Sequence, residues 1–252
     1  MKFSIIIGNS RIDESRQRNL MAVIEFYRKN FPGSQIIVTD QIVGRYADVP
    51  DYVTYLPIKT GRPYSRSLSF NIAIPHCIND WFICADNDCM ISTQTIKQID
   101  MCVLDRLDMY IPYRHVLDLS EGQTVSLMNN GKVSGAKPRV WKGKAIINHG
   151  GVTIISRKGF EIVGGFDPQF WGWGGEDYAF FGKCDKLLNW KRSGFDMYHL
   201  NHHRAYKRAH NPEADKNRKE AHRIFDMNVT QMKVYIKNLG TNHYTNPTST
   251  IS

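Results

Sequence analysis

The feature that most restricts the fold lies near the amino terminus. Ile5-Ile6-Ile7 and Ile36-Ile37-Val38 are short β-branched runs bounded by turn residues, and between them Leu20, Val23, Ile24 and Tyr27 recur at the spacing of one helical face. The stretch therefore reads as strand, helix, strand. Two strands joined by such a crossover run parallel. The expected class is α/β: a Rossmann-like, mostly parallel sheet flanked by helices, with ligand chemistry at the carboxyl ends of its strands. Asp40 falls at one such end.

The remaining chain fits that plan. With 252 residues, 42% of them hydrophobic, it can bury one large core and is read as a single domain. Ser65 to Ile74 starts a helix carrying Arg66 and Asn71, and the apolar run Trp81-Phe82-Ile83-Cys84-Ala85 is a buried strand that stops at Asp86. Ser120 to Lys144 is polar, Gly/Lys-rich and weakly periodic, so it is expected to be an inserted loop or irregular hairpin that supplies acceptor contacts or a lid. Val152-Thr153-Ile154-Ile155 is another strand, followed by a short helix over Arg157 to Val163 that Gly164-Gly165 ends. Tyr178 to Trp190 reads as helix, Met197-Tyr198-His199 as extended, and Glu213 to Lys237 as one charged helix before a polar tail.

Cys77, Cys84, Cys89, Cys102 and Cys184 are odd in number and lack paired zinc spacing, which suits buried thiols in a reducing, cytoplasmic setting. The apolar run after Met1 is too short for a secretory leader, and no segment approaches the roughly 20 apolar residues of a membrane span. The formal charge of +9 indicates an acidic partner, either a nucleotide diphosphate or a nucleic acid.

Asp86-Asn87-Asp88 closes a hydrophobic strand. Two carboxylates one residue apart at such a place suit a hard divalent cation, magnesium or manganese, bridging two phosphates. On its own the triplet is also an ordinary turn, in which the side chains bond nearby amides. Its position after a buried strand favours the metal. Farther along, Phe170-Trp171-Gly172-Trp173-Gly174-Gly175-Glu176-Asp177 packs two indoles, three glycines and two adjacent acids into eight residues. Glycines permit close backbone approach, an indole offers a sugar an apolar face and an N–H donor, and the acids supply a candidate general base.

Gly150-Gly151-Val152, Gly164-Gly165-Phe166 and Phe170 through Asp177, in this order and spacing, resemble the β-1,4-galactosyltransferase-like family of inverting GT-A glycosyltransferases. A looser likeness through Arg66, Asn71, the acidic triplet and His199 extends it over roughly residues 3 to 204. The resemblance implies a GT-A catalytic domain over 1–205, with a nucleotide-binding half to about 105 and an acceptor half beyond it, then a basic helical extension over 206–237 and a flexible tail over 238–252. It further implies Asp177 as catalytic base; Trp171, Trp173, Gly175 and Glu176 at the donor and acceptor sugars; and Asp40, Arg66, Asn71 and Asp86 with one of Arg11, Arg16 or Arg18 at the nucleotide. Asp88 and His199 would hold Mn2+ or Mg2+, with Asp86 near both the ribose and the metal as a further candidate ligand, and a UDP-sugar would be the donor.

Two departures from the family pattern bear on these roles. Tyr178-Ala179 stands where animal members carry further aspartates, and Asp196 stands where they place a methionine before the metal histidine, so His202 is a competing ligand. The implied acceptor is a saccharide of a surface glycan. The basic run Arg204, Lys207, Arg208, Lys216, Arg218, Lys219 and Arg223 keeps open a hydroxylated base in DNA. A silent binding module would need no base, and Asp86, Asp88, Asp177 and His199 together argue against it.

Overall fold

The computed structural model describes residues 1–10, 13–42, 44, 46–99, 106–172, 174–203 and 213–240. The chain runs β1 (Ser4–Ser10), α1 (Glu14–Asn30), β2 (Gln35–Gln41), β3 (Thr54–Ile58), α2 (Arg66–Ala73), β4 (Trp81–Asp86), β5 (Cys89–Ile91), α3 (Thr93–Gln98), β6 (Met109–Ile111), β7 (Val116–Asp118), α4 (Glu121–Asn130), β8 (Val140–Trp141), β9 (Lys144–Ala145), β10 (Val152–Ser156), α5 (Arg157–Ile162), α6 (Glu176–Leu187), β11 (Trp190–Arg192), β12 (Met197–His199), α7 (Ala214–Phe225) and α8 (Val229–Leu239).

Seven strands form the main sheet in the order β11-β6-β10-β4-β1-β2-β3. β1 lies inside it, parallel to β2 on one side and β4 on the other. Both of its faces are covered, which is why Ile5, Ile6 and Ile7 form an unbroken apolar run without alternation and are all fully buried. Each such side chain stabilises the fold by about 1.5–3 kcal/mol relative to exposure. α1 starts where Asp13 accepts a hydrogen bond from the Arg16 amide at 2.9 Å, and it lays Leu20, Val23, Ile24 and Tyr27 on the sheet. β10 is the exception to the parallel arrangement, pairing antiparallel with both β4 and β6. A second, three-stranded sheet in the order β5-β12-β7 stands beside the ends of β4 and β10.

Two expectations change. The polar stretch after Ser120 is not loop throughout: α4 occupies Glu121–Asn130, opened by a reciprocal capping box between Ser120 and Gln123 and closed by Gly131 in the left-handed conformation. Its periodicity is weak because Thr124 is its one buried residue, so the caps carry the helical signal. Only the short β8–β9 hairpin matches the irregular hairpin expected there. The charged helix beyond Glu213 is two helices, α7 and α8, separated where Asn228 caps the second with its own capping box. Together they cover the Trp/Gly segment: Phe170, Ala179, Ala221, Ile224 and Met232 form a small buried cluster across α6, α7 and α8. Among the described residues no helix is long and apolar enough to cross a membrane, and the four described cysteines are buried free thiols.

Candidate active site

The register of the small sheet assembles one end of the site. β12 places His199 opposite Cys89 on β5 and opposite Asp118 on β7. Asp88 is the residue before Cys89, and its carbonyl accepts a hydrogen bond from the Leu200 amide at 2.8 Å. His199 Nε2 consequently lies 3.6 Å from Asp88 Oδ1, while His202, one turn of chain later, brings its Nε2 to 3.2 Å from Asp88 Oδ2. The ligand atoms of Asp88, His199 and His202 all fall within 4.8 Å of one another. Both histidines face the same carboxylate. Burial alone would raise the Asp88 carboxyl, but His199, His202 and Arg16 hold it well below the usual carboxylate range. An ionised carboxylate with two imidazoles fits a divalent cation, and two nitrogen donors suit manganese better than magnesium, which prefers oxygen.

The other end grows from β4 and α6. Asp86, at the end of β4, pairs with Arg66 through Nε at 2.7 Å. Arg66 is 6% exposed, its guanidinium lies 4.6 Å from the Phe70 ring centre, and the carboxyl groups of Asp86, Glu176 and Asp177 lie around it. Glu176 opens α6 after Gly175, whose φ of +93° and close fit against α7 both exclude a side chain: a Cβ there would meet the Asn217 carbonyl oxygen at 2.8 Å. Burial, reinforced by the adjacent Asp177 and opposed by Arg66, pushes the Glu176 carboxyl up to about 8. Burial likewise raises Asp86 against the pull of Arg66, with Asp88 adding to the rise.

The two ends meet at Gly150-Gly151. The Gly151 carbonyl accepts the Asp86 amide at 2.8 Å, and the Asp177 carboxylate packs so tightly on Gly150 that a Cβ there would lie 2.5 Å from Oδ2. Three of the buried polar atoms without a hydrogen-bond partner among the described residues belong to side chains of these two ends, Arg16 Nε, Arg66 Nη2 and Glu176 Oε2. Buried polar groups are rarely left so, and a polar ligand could satisfy them.

Other predicted residues have different surroundings. Asp40 is 1% exposed and accepts hydrogen bonds from Asn9 Nδ2 at 2.8 Å, the Tyr55 hydroxyl at 2.6 Å and the Ala47 amide at 3.0 Å, so its carboxylate ties β1, β3 and the β2–β3 connection together. Asn71 clasps the Phe166 backbone, donating to its carbonyl at 2.7 Å and accepting from its amide at 3.0 Å. Of the arginines at the start of α1, Arg16 reaches within 3.8 Å of Asp88, whereas Arg18 is engaged with Glu121 and the Asn201 carbonyl; Arg11 lies outside the described residues. Trp171 stacks under the Arg62 guanidinium at 3.7 Å, and its carbonyl accepts from Asn217 Nδ2 at 2.8 Å; Trp173 lies outside the described residues. Sequence reading missed Asp118, Arg139 and Asn217, which sit in no local motif and enter only through strand register and helix packing.

Residues 139–208 match the protein family described as the N-terminal domain of galactosyltransferase. No curated protein matches the chain. Among solved structures, the catalytic domain of Drosophila β1,4-galactosyltransferase 7 with xylobiose is 14% identical, covering 87% of this chain and 79% of that one with a TM-score of 0.50. A point mutant of the same enzyme with manganese, UDP-Gal and xylobiose is 16% identical, covering 90% of this chain and 80% of that one, also at 0.50. HddC from Yersinia pseudotuberculosis is 18% identical over 90% of this chain and 100% of that one, with a TM-score of 0.46. The fold is that of the GT-A glycosyltransferases, and the galactosyltransferase-like segment, residues 139–208, carries Gly150, Glu176, Asp177, His199 and His202 of the site.

Proposed function

We propose that this chain, galactosyltransferase-like over residues 139–208, is an inverting, manganese-dependent glycosyltransferase that moves a hexose or N-acetylhexosamine from a UDP-sugar to a saccharide hydroxyl. The observation that carries the reading is the meeting of a metal-fitting cluster, Asp88, His199 and His202, with the Asp177 carboxylate across Gly150-Gly151. The Drosophila enzyme of similar fold was solved with manganese, UDP-Gal and a disaccharide, which agrees with this division of the site.

Asp177 takes the proton from the acceptor hydroxyl as that oxygen attacks the anomeric carbon, and the bond from that carbon to the diphosphate breaks on the opposite side. A divalent cation held by Asp88, His199 and His202 would neutralise the charge gathering on the departing diphosphate. Arg16, beside Asp88 with an unpaired buried Nε, is placed to donate to the same phosphates. Glu176, held largely protonated at neutral pH, can donate to a sugar hydroxyl through its unpaired Oε2 without adding a third negative charge beside Asp86 and Asp177. A saccharide is favoured over a DNA base because three cations of the basic run, Lys216, Arg218 and Arg223, pair with Glu213, Asp215 and Glu220; Arg204, Lys207 and Arg208 lie outside the described residues.

The test is a donor screen over UDP-galactose, UDP-glucose and their N-acetylated forms with manganese, reading released UDP and the product linkage. EDTA should abolish turnover. Asp177→Asn should lower kcat by about 10²–10⁴-fold while still binding UDP. Wild-type turnover by that variant, or full activity in EDTA, refutes the assignment; sugar transfer to hydroxymethylated DNA instead of saccharides would move the acceptor to the rival class.

A further inference from the structure

Asp118, the residue opposite His199 in the β12–β7 ladder, lies on the far side of the imidazole from Asp88. His199 Nδ1 stands 3.0 Å from Asp118 Oδ1. Arg139 grips the same carboxylate with a planar fork, Nε to Oδ2 at 2.8 Å and Nη2 to Oδ1 at 2.6 Å. The fork is itself fixed by backbone: the Arg139 amide donates to the Val116 carbonyl at 2.8 Å, and Leu117 and Pro138 form a β-bridge. α4 adds a second tie, since Thr124 Oγ1 accepts the Asn201 amide at 2.8 Å between the two histidines.

We propose that Asp118 and Arg139 are positioning residues for the metal centre, and that the segment from β7 to β9, which includes the stretch Ser120 to Lys144 expected to supply acceptor contacts or a lid, is its buttress. The inference rests on the metal reading of Asp88, His199 and His202. An ionised carboxylate only accepts, so the Nδ1 of His199 must carry the proton, and the Nε2 lone pair is left facing the side of Asp88. A carboxylate behind a ligating imidazole also makes it a stronger donor and fixes the orientation of the ring. Arg139 fixes both oxygens in a bidentate geometry that a lysine cannot reproduce. His202 gets the same orientation more weakly, with Nδ1 3.0 Å from the carbonyl of its neighbour His203.

The experiment measures Mn2+ affinity of the metal-free full chain by the loss of free-Mn2+ EPR signal, with Tm recorded before and after Mn2+ addition. Asp118→Asn should weaken Mn2+ binding about 10–100-fold, Arg139→Lys by less, and Asp118→Glu should recover part of the loss. The metal-free Tm should stay near that of the wild type while the Mn2+-induced rise shrinks, which a merely structural contact would not produce. Arg139→Gln, at a side chain about one-third exposed, supplies the measurement if Asp118→Asn does not fold. Mn2+ affinity within twofold of wild type in the folded variants overturns the positioning role alone. Failure of the wild type to bind Mn2+ overturns the metal reading, and the inference with it.

Discussion

Gly150→Ala is the most direct probe of the proposed base. The Gly150 φ lies outside the left-handed region, so the backbone accepts an L side chain and the consequence falls on what the methyl meets. Its Cβ would lie 2.5 Å from Asp177 Oδ2 and 3.2 Å from Asp177 Cβ and Cγ, so Oδ2 must retreat by about 0.9 Å to reach the 3.4 Å at which ordinary contact begins. The atom that yields is the end of a side chain, which makes the stability cost small, about 1 kcal/mol, at the low end of overpacking. The catalytic cost is larger, because a displacement near 1 Å of a reacting group lowers the rate by about 10²-fold. The assay pairs steady-state kcat, from UDP release, with UDP affinity by calorimetry and the urea midpoint. The expected pattern is a kcat down about 30–100-fold with UDP affinity and midpoint close to wild type. Wild-type kcat in a folded Gly150→Ala protein would mean that the Asp177 position seen here does not matter to turnover.

Two further perturbations test the surroundings. Asn217→Ala leaves the half-buried Trp171 carbonyl without its donor and should cost about 0.5–1.5 kcal/mol, read as a lowered urea midpoint together with a raised acceptor KM; an unchanged midpoint would contradict it. Glu176 keeps its proton in the folded chain up to about pH 8, whereas unfolded it releases it near 4.5, so folded-state stability should fall as pH rises through that window, by up to about 1.4 kcal/mol per pH unit. Glu176→Gln should flatten this decline and be more stable than wild type at pH 8 in metal-free urea titrations; parallel curves for the two proteins would refute the protonated state.

Periodicity and punctuation made much of the fold legible. The β-branched runs around Ile6 and Ile37 with the apolar face of α1 between them specify a parallel pair, and Ser65, Asp86 and Gly164-Gly165 mark element ends, because each acts on backbone within a few residues of itself. The Trp/Gly segment was readable for the same reason, since its glycines and acids sit side by side. α4 was not, because a helix that buries one residue has almost no apolar period and is specified by its caps.

What lies across a ladder or a packing interface was decided by tertiary structure. His199 and His202 looked like competitors along the chain, yet the turn after β12 points both at Asp88. Asp40 stands at the end of β2, as its place in the sequence suggests, but only the folded chain brings Asn9, Ala47 and Tyr55 to its carboxylate. Asp118 and Arg139 meet His199 through the register of β7 and β12 and a bridge at Pro138, distances of 81 and 60 residues along the chain. The physical reason is that conformational preference is local, whereas a ligand set is made by groups whose spacing in sequence carries no information about which strand edge will bring them within a few ångströms.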